Sequence, residues 1–208
     1  RLAYGGRLVS RKEEGEAPLC DIKFVLPGLP QLLLIGVDGR EKRNGETMSL
    51  YNEIELKALV RFLINLTKQV RSNDIMIICL YKEQKLRVHK IMNRQRLKCK
   101  VLTVDSAQGK EAPIVILLTT RTKNAPEFFN NMNRCNVAVS RHQKALIVIG
   151  NADFLISNEP WRTVLTGGEN WETCTHLKKD DFTRIVYIGC KNTRHDLSCC
   201  CDLNVLSS

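Results

Sequence analysis

The chain lacks any long hydrophobic run. No apolar stretch approaches the roughly 18 to 20 residues that cross a bilayer as a helix, and no charged start leads into an apolar stretch with a small-residue cleavage site. A soluble, unsecreted, intracellular protein, cytoplasmic or nuclear, is therefore expected. Repeats of solenoid length and low-complexity tracts are also missing, which excludes stacked arrays and compositionally biased tails. The 9 cysteines form no disulfide framework: their number is odd, and Cys79 and Cys135 sit inside apolar segments where a thiol behaves as a small hydrophobe. A zinc site near the C-terminus would have to use Cys190, His195 and the adjacent Cys199, Cys200 and Cys201. Adjacent residues seldom converge on one tetrahedral ion, and no Cys-x-x-Cys pair completes the set, so no metal site is expected. Missing too are a Gly-x-x-x-x-Gly-Lys-Ser/Thr phosphate loop and an acidic pair closing a strand, the parts that cradle a nucleoside triphosphate and its Mg²⁺. The first residue is Arg1, not Met, so a fragment or an incomplete gene product is expected.

What is present is enough for one folded domain and a tail. The 208 residues are 43% hydrophobic and 26% charged, which supports a substantial core. The net charge of +10 is uneven. Between Lys82 and Lys100, the residues Lys82, Lys85, Arg87, Lys90, Arg94, Arg96, Lys98 and Lys100 face only Glu83. A helix with that stripe either attracts nucleic-acid phosphates or is simply a solvated face.

Strands and helices alternate along the sequence. Leu32–Val37, Ile75–Leu80, Val101–Val104, Pro113–Leu118 and Ala145–Gly150 are short apolar runs, expected as buried strands. Gly39, Asn44 and Gly45 mark a loop after the first. Asn52 with Glu55 three residues on is expected to form a capping box, ahead of helical spacing through Leu56, Leu59, Val60, Leu63 and Leu66. Further helices are expected after Tyr81, over Asn133 to Gln143, and around Trp161, Val164 and Leu165. Continuous apolar runs, as opposed to alternating ones, fit a mostly parallel sheet covered on both faces, a doubly wound α/β fold. The expected division is a connecting segment over residues 1–20, the α/β domain over 21–168 and a tail over 169–208. Gly167-Gly168 at the end of the domain and Lys178-Lys-Asp-Asp181 in the tail read as linker, and Ile185–Ile188 as a strand.

Two segments carry the chemistry. Val101-Leu-Thr-Val-Asp-Ser-Ala-Gln-Gly-Lys-Glu111 runs from a strand through Asp105 and Ser106 into a turn at Gly109, so amides, Gln108, Lys110 and Glu111 emerge where open α/β sheets hold ligands. About two dozen residues later, Asn133-Arg-Cys-Asn-Val-Ala-Val-Ser-Arg141 ends a small, apolar stretch in a guanidinium.

The order of these segments resembles the second RecA-like domain of superfamily 1 helicases, in particular the Upf-like branch that acts in nonsense-mediated RNA decay and related pathways. Tyr4-Gly-Gly-Arg-Leu8 is similar to the segment that follows that family's Tyr-Arg-Met-His-Pro motif. Ile75 to Gln84, ending Tyr81-Lys-Glu-Gln84, is similar to its motif IV. Val104-Asp-Ser-Ala-Gln-Gly-Lys-Glu111 resembles its Val-Asp-x-x-Gln-Gly-x-Glu, and Arg134-Cys-Asn-Val-Ala-Val-Ser-Arg141 its Arg-x-Asn-Val-Ala-Leu-Thr-Arg. Gly150-Asn151 fits the closing strand, so the resemblance spans roughly residues 4 to 165. Two departures stand out: Ser140-Arg-His-Gln143 replaces Thr-Arg-Ala-Arg, and Leu80 replaces a proline before Tyr81.

The resemblance implies a RecA-like C-terminal motor domain of an ATP-dependent helicase, acting on single-stranded RNA or DNA. ATP and Mg²⁺ would be shared with an upstream phosphate-loop domain, and this chain alone would not hydrolyse ATP. Arg141 is then the arginine finger, because a guanidinium stays charged and offers a planar fork to phosphate oxygens. Its bland alternative is a structural salt bridge. Gln108, Gly109 and Glu111 lie by the nucleotide, with Gly109 permitting close approach and Glu111 accepting from a ribose hydroxyl. Arg134 pairs either with a carboxylate or with nucleotide phosphate. Thr103 faces a nucleic-acid phosphate, Asp105 lies on the same path or caps the following turn, and Lys82 and Lys85 belong to the basic stripe. Tyr81 and Gln84 contact nucleic acid, or Tyr81 merely covers the core. Two readings of other classes remain open. One is a non-catalytic nucleic-acid-binding or scaffold protein derived from half a helicase, and the other is an interaction module without nucleic acid.

Overall fold

The computed structural model describes residues 32–166 and, as backbone, two strands beyond them. The segment around Tyr4, the Gly167-Gly168 pair and the Cys190 to Cys201 cluster lie outside them. In chain order the elements are β1 (Leu32–Val37), the short pair β2 (Lys42–Arg43) and β3 (Leu50–Tyr51), and α1 (Glu53–Leu66). Then come β4 (Ile75–Cys79), α2 (Lys82–Arg94), β5 (Lys100–Thr103) and the single turn α3 (Val104–Ala107). β6 (Ala112–Leu118), α4 (Met132–Val139) and β7 (His142–Gly150) follow, with α5 (Ala152–Ser157) and α6 (Glu159–Thr166) behind them. The last strands are β8 (Thr173–Asp180) and β9 (Thr183–Ile188).

The sheet order is β5-β4-β6-β7-β1-β9-β8. β5, β4, β6, β7 and β1 are mutually parallel, while β9 and β8 join antiparallel at the far edge. Apolar runs become parallel strands here because helices cover both faces. Alternate residues of β4 and β6 point opposite ways, so Ile75, Ile77, Ile114 and Ile116 pack with Leu59, Leu63, Val88 and Met92 of α1 and α2. Met76, Ile78, Val115 and Leu117 pack instead with Ala107, Cys135, Ala138 and Trp161 from α3, α4 and α6. Each fully buried aliphatic side chain contributes about 1.5–3 kcal/mol, which is why this central layer dominates the fold. The expected RecA-like α/β architecture is present, with a mostly parallel sheet and helices on both faces.

Three expectations need correction. The helix expected to run to Gln143 ends at Val139, because β7 already pairs with β6 from His142, opposite Ala112. Sheet pairing outweighs local helical spacing there. The Lys178 to Asp180 stretch, read as linker, belongs to β8, which finds its hydrogen bonds by pairing with β9.

The capping box forms by half. Asn52 accepts from the backbone N–H groups of Ile54 and Glu55 at 3.0 and 3.3 Å, but Glu55 does not return to the Asn52 N–H. That N–H donates to Gln84 Oε1 at 2.9 Å.

Candidate functional site

A parallel sheet has two unlike edges, and the first motif segment crosses from one to the other. β5 ends at Thr103, whose register partner Cys79 closes β4, so Thr103 stands at the carboxyl edge. Eight residues further on, Glu111 stands at the opposite, amino edge, just before β6 begins.

At the carboxyl edge, half-buried Thr103 shares a 3.0 Å hydrogen bond with Ser106 across the α3 turn. Asp105 is exposed and accepts from Arg134, from Nε at 3.2 Å and from one terminal nitrogen at 2.5 Å to each oxygen. Arg134 is aimed by α4: the Asn131 side chain accepts from the Arg134 N–H at 3.1 Å and caps that helix. Of the two partners left open for Arg134, the carboxylate is the one it has. Its guanidinium also lies 5.5 Å from the Phe128 ring centre, and Phe128 meets Tyr81 edge-on at 5.4 Å. Tyr81 is buried, so its ring covers the core, and burial pushes its hydroxyl up to about 12. Its oxygen has no hydrogen-bond partner among the described residues.

Gln84 is placed away from any ligand-accessible surface. It is fully buried, its Oε1 accepting from the Asn52 N–H and its Nε2 donating to Glu55 at 3.1 Å and to the Asn52 carbonyl at 3.3 Å. Both ends of the amide are thus used in joining α2 to α1. Lys82 is exposed at the start of α2 and Lys85 is half-buried one turn on.

Glu55, which carried no expectation beyond capping, is the centre of this knot. Its carboxyl accepts from the Thr120 N–H at 2.6 Å and the Thr119 hydroxyl at 3.4 Å, at the end of β6, as well as from Gln84. Burial raises it to about 8 against the opposing pull of those donors. No spacing rule links residues 55, 84 and 119; only the fold brings them together.

At the amino edge, Arg141 occupies the turn between α4 and β7. Its carbonyl accepts from the Ala112 N–H at 3.1 Å, which pins the backbone, and one terminal nitrogen donates to Ser140 Oγ at 2.8 Å. Its Nε is buried without a partner, and it forms no ion pair among the described residues. Neighbouring Glu111 is exposed and accepts from Gln143 at 3.4 Å. Thus the residue at the position of the second arginine in the resembling motif engages Glu111 as a neutral amide. Burial lowers the His142 imidazole below its usual value, and its Nδ1 lies 2.8 Å from the Val139 carbonyl oxygen. Gln108 is exposed, and Gly109 turns the chain at φ 72° with open space around it, a left-handed conformation that suits glycine.

One groove was not foreseen. Arg43, Met48, Ser49, Leu50, Tyr81, Arg121, Pro126 and Phe128 line about 280 Å³ beside the carboxyl-edge cluster. Arg121 there leans on Glu41, 3.8 Å away, and donates to the Asn124 carbonyl. Sequence carried no signal for this groove because the β2 and β3 pair that walls it is only two residues long per strand.

Comparison with known proteins adds a lineage. Residues 1–153 match a family described as AAA domain. Among similar proteins are the human RNA helicase Mov10l1, 28% identical over 81% of this chain, and the human probable helicase senataxin, 25% identical over 86%. The mouse 5'-3' DNA helicase ZGRF1 is 30% identical over 82%. The chain spans only 14%, 7% and 9% of those relatives' lengths.

Proposed function

The chain belongs to the AAA domain family, as a helicase-type domain, and from that premise we propose that it is the C-terminal motor half of an ATP-dependent, Upf-like helicase acting on single-stranded RNA, with DNA as the alternative. The observation that carries this reading is Arg141. A guanidinium held on a pinned turn, with a buried nitrogen unmatched and no carboxylate partner among the described residues, is a cation kept for an anion that arrives from elsewhere. The donor set suits a nucleotide: Arg141 for γ-phosphate oxygens, Glu111 for a ribose hydroxyl, and the open turn at Gln108 and Gly109 for close approach.

ATP, held with its Mg²⁺ by the phosphate loop of a partner domain, would supply the γ-phosphoryl group whose transfer to water, with ADP leaving, drives the motor. Arg141 meets that site when the two domains close and stabilises charge on the transferring group. Thr103, the Asp105 and Arg134 pair, and Lys82 line the strand path at the other edge of the sheet, so closure at one edge alters the grip at the other. The backbone of β6 connects the two, since Ala112 bonds to Arg141 at one end and Thr120 to Glu55 beyond the other.

The test joins this chain to a phosphate-loop domain and measures nucleic-acid-stimulated ATPase. Arg141→Ala should lower kcat by about 10³-fold while strand affinity holds. Unchanged turnover removes the finger assignment. Salt-sensitive strand binding with no ATPase in any such pairing favours a non-catalytic scaffold.

A further inference from the structure

We propose that the C-terminal end of α2 and the turn into β5 form a second nucleic-acid site, one that takes the phosphate backbone of a duplex, apart from the single-strand path. From Gln84 to Val104 the sequence contains no Asp or Glu. Lys90, Arg94, Arg96, Lys98 and Lys100 are all exposed, and none forms an ion pair among the described residues. Arg87, one turn before them, is otherwise occupied: it pairs with Glu83 at 2.9 Å and its guanidinium lies 3.5 Å over the Tyr51 ring.

The position of the cluster separates it from the motor's own contacts. Lys100 is in register with Met76 at the start of β4, so the cluster sits at the amino edge, on the outer strand of the sheet. The 13 residues of α2 put about 20 Å between it and Lys82 at the carboxyl edge. Arg71, exposed but paired with Asp74 at 3.0 Å, only borders the patch, where the Lys98 N–H donates to Ser72 Oγ at 3.2 Å and ties the two turns together.

Two ordinary explanations account for only part of it. Cations in the last turn complement a helix dipole, which Arg94 satisfies, and a lysine on an edge strand deters unwanted pairing, which Lys100 satisfies. Neither explains Arg96. The Arg96 and Leu97 N–H groups return to the Asn93 and Met92 carbonyls at 3.2 and 3.0 Å, which closes α2 in a Schellman motif. Arg96 itself has φ 54°, the left-handed position that glycine occupies most easily. A guanidinium is kept where the backbone favours no side chain at all.

The chemistry of the patch selects a duplex. Sequence-tolerant single-strand binding uses aromatic platforms for the bases. Residues 82–100 contain no Phe, Tyr or Trp, so this surface offers phosphate contacts alone, the term by which duplexes are held without sequence preference.

Binding of the 208-residue chain to a labelled duplex and to a single strand of the same sequence, followed by anisotropy across roughly 50 to 200 mM salt, tests this. The triple variant Arg94→Ala, Arg96→Ala, Lys98→Ala should weaken duplex binding about tenfold or more and flatten its salt slope by about 2 to 3. Single-strand affinity should change far less. Unchanged duplex affinity, or an equal loss for both ligands, overturns the proposal. So does displacement of nothing but polyglutamate by these variants, which would mark the surface as a dock for an acidic protein. Arg96→Gly separates charge from folding: duplex affinity should fall severalfold as the melting temperature rises, and a fall in both overturns the role given to Arg96. None of these readings depends on Arg141, so failure here and failure of the motor assignment are distinguishable.

Discussion

Helix α2 treats its two ends differently. At its first turn two polar side chains face inward: Gln84 is buried in bonds to Asn52 and Glu55, and Glu83 is committed to Arg87. At its last turn and just beyond it, Arg94, Arg96 and Lys98 stand in water with no ion-pair partner among the described residues. The sequence presents both as one basic stripe. The difference teaches that charge density identifies a surface only after burial has removed the residues that serve the core.

That contrast can be broken at the inner end first. Glu55→Ala leaves the Thr120 N–H without an acceptor inside the core and takes one of the two acceptors of the Gln84 amide, and should cost about 2–4 kcal/mol in urea unfolding.

A pH series on the unchanged chain sharpens the same point. Burial lifts the Glu55 carboxyl to about 8 in the folded state, above its ordinary 4.5, so the folded state keeps a proton that the unfolded chain releases. Its contribution is therefore full below about pH 4.5, shrinks as pH rises toward 8, and is constant beyond, a decline of about 5 kcal/mol. Glu55→Gln should flatten that decline; an identical pH profile would show that another group carries it.

Effects at the exposed contacts should be smaller. Asp105→Asn breaks the pair with Arg134, yet those side chains are 67% and 39% exposed, so loss of less than about 1 kcal/mol is expected by thermal melting. Smallest of all, and of opposite sign, Arg96→Gly should gain roughly 0.5–1 kcal/mol by relieving the left-handed backbone. Destabilisation by Arg96→Gly would mean that the side chain contributes packing that its exposure does not suggest.

The strands were legible in the sequence because five apolar runs of the right length alternate with helical spacing, and burial on both faces leaves few other arrangements. The helix ends were less so. Asn133 to Gln143 has helical spacing throughout, but His142 is drawn into β7 by Ala112, a partner 30 residues away in sequence. Of the site, Arg141, Glu111 and Thr103 were legible as motif positions. The partnership of Arg134 with Asp105 was left between two choices and needed α3 and α4 side by side. Gln84 illustrates the opposite failure: a motif glutamine reads as ligand-facing until its neighbours are known.

The sequence by itself therefore determined the layer order of the fold, the location of the two motif segments and the sign of the charge around them. Those follow from local periodicity and composition, which need no partner. Tertiary structure alone decided that the first segment spans both edges of the sheet, that Glu55 and Gln84 form an internal knot with Thr119 and Thr120, and that Arg141 stays free of a carboxylate among the described residues. The physical reason is the same in each case. Hydrogen bonds and ion pairs depend on distances of a few ångströms between residues tens of positions apart, and only the packed sheet sets those distances.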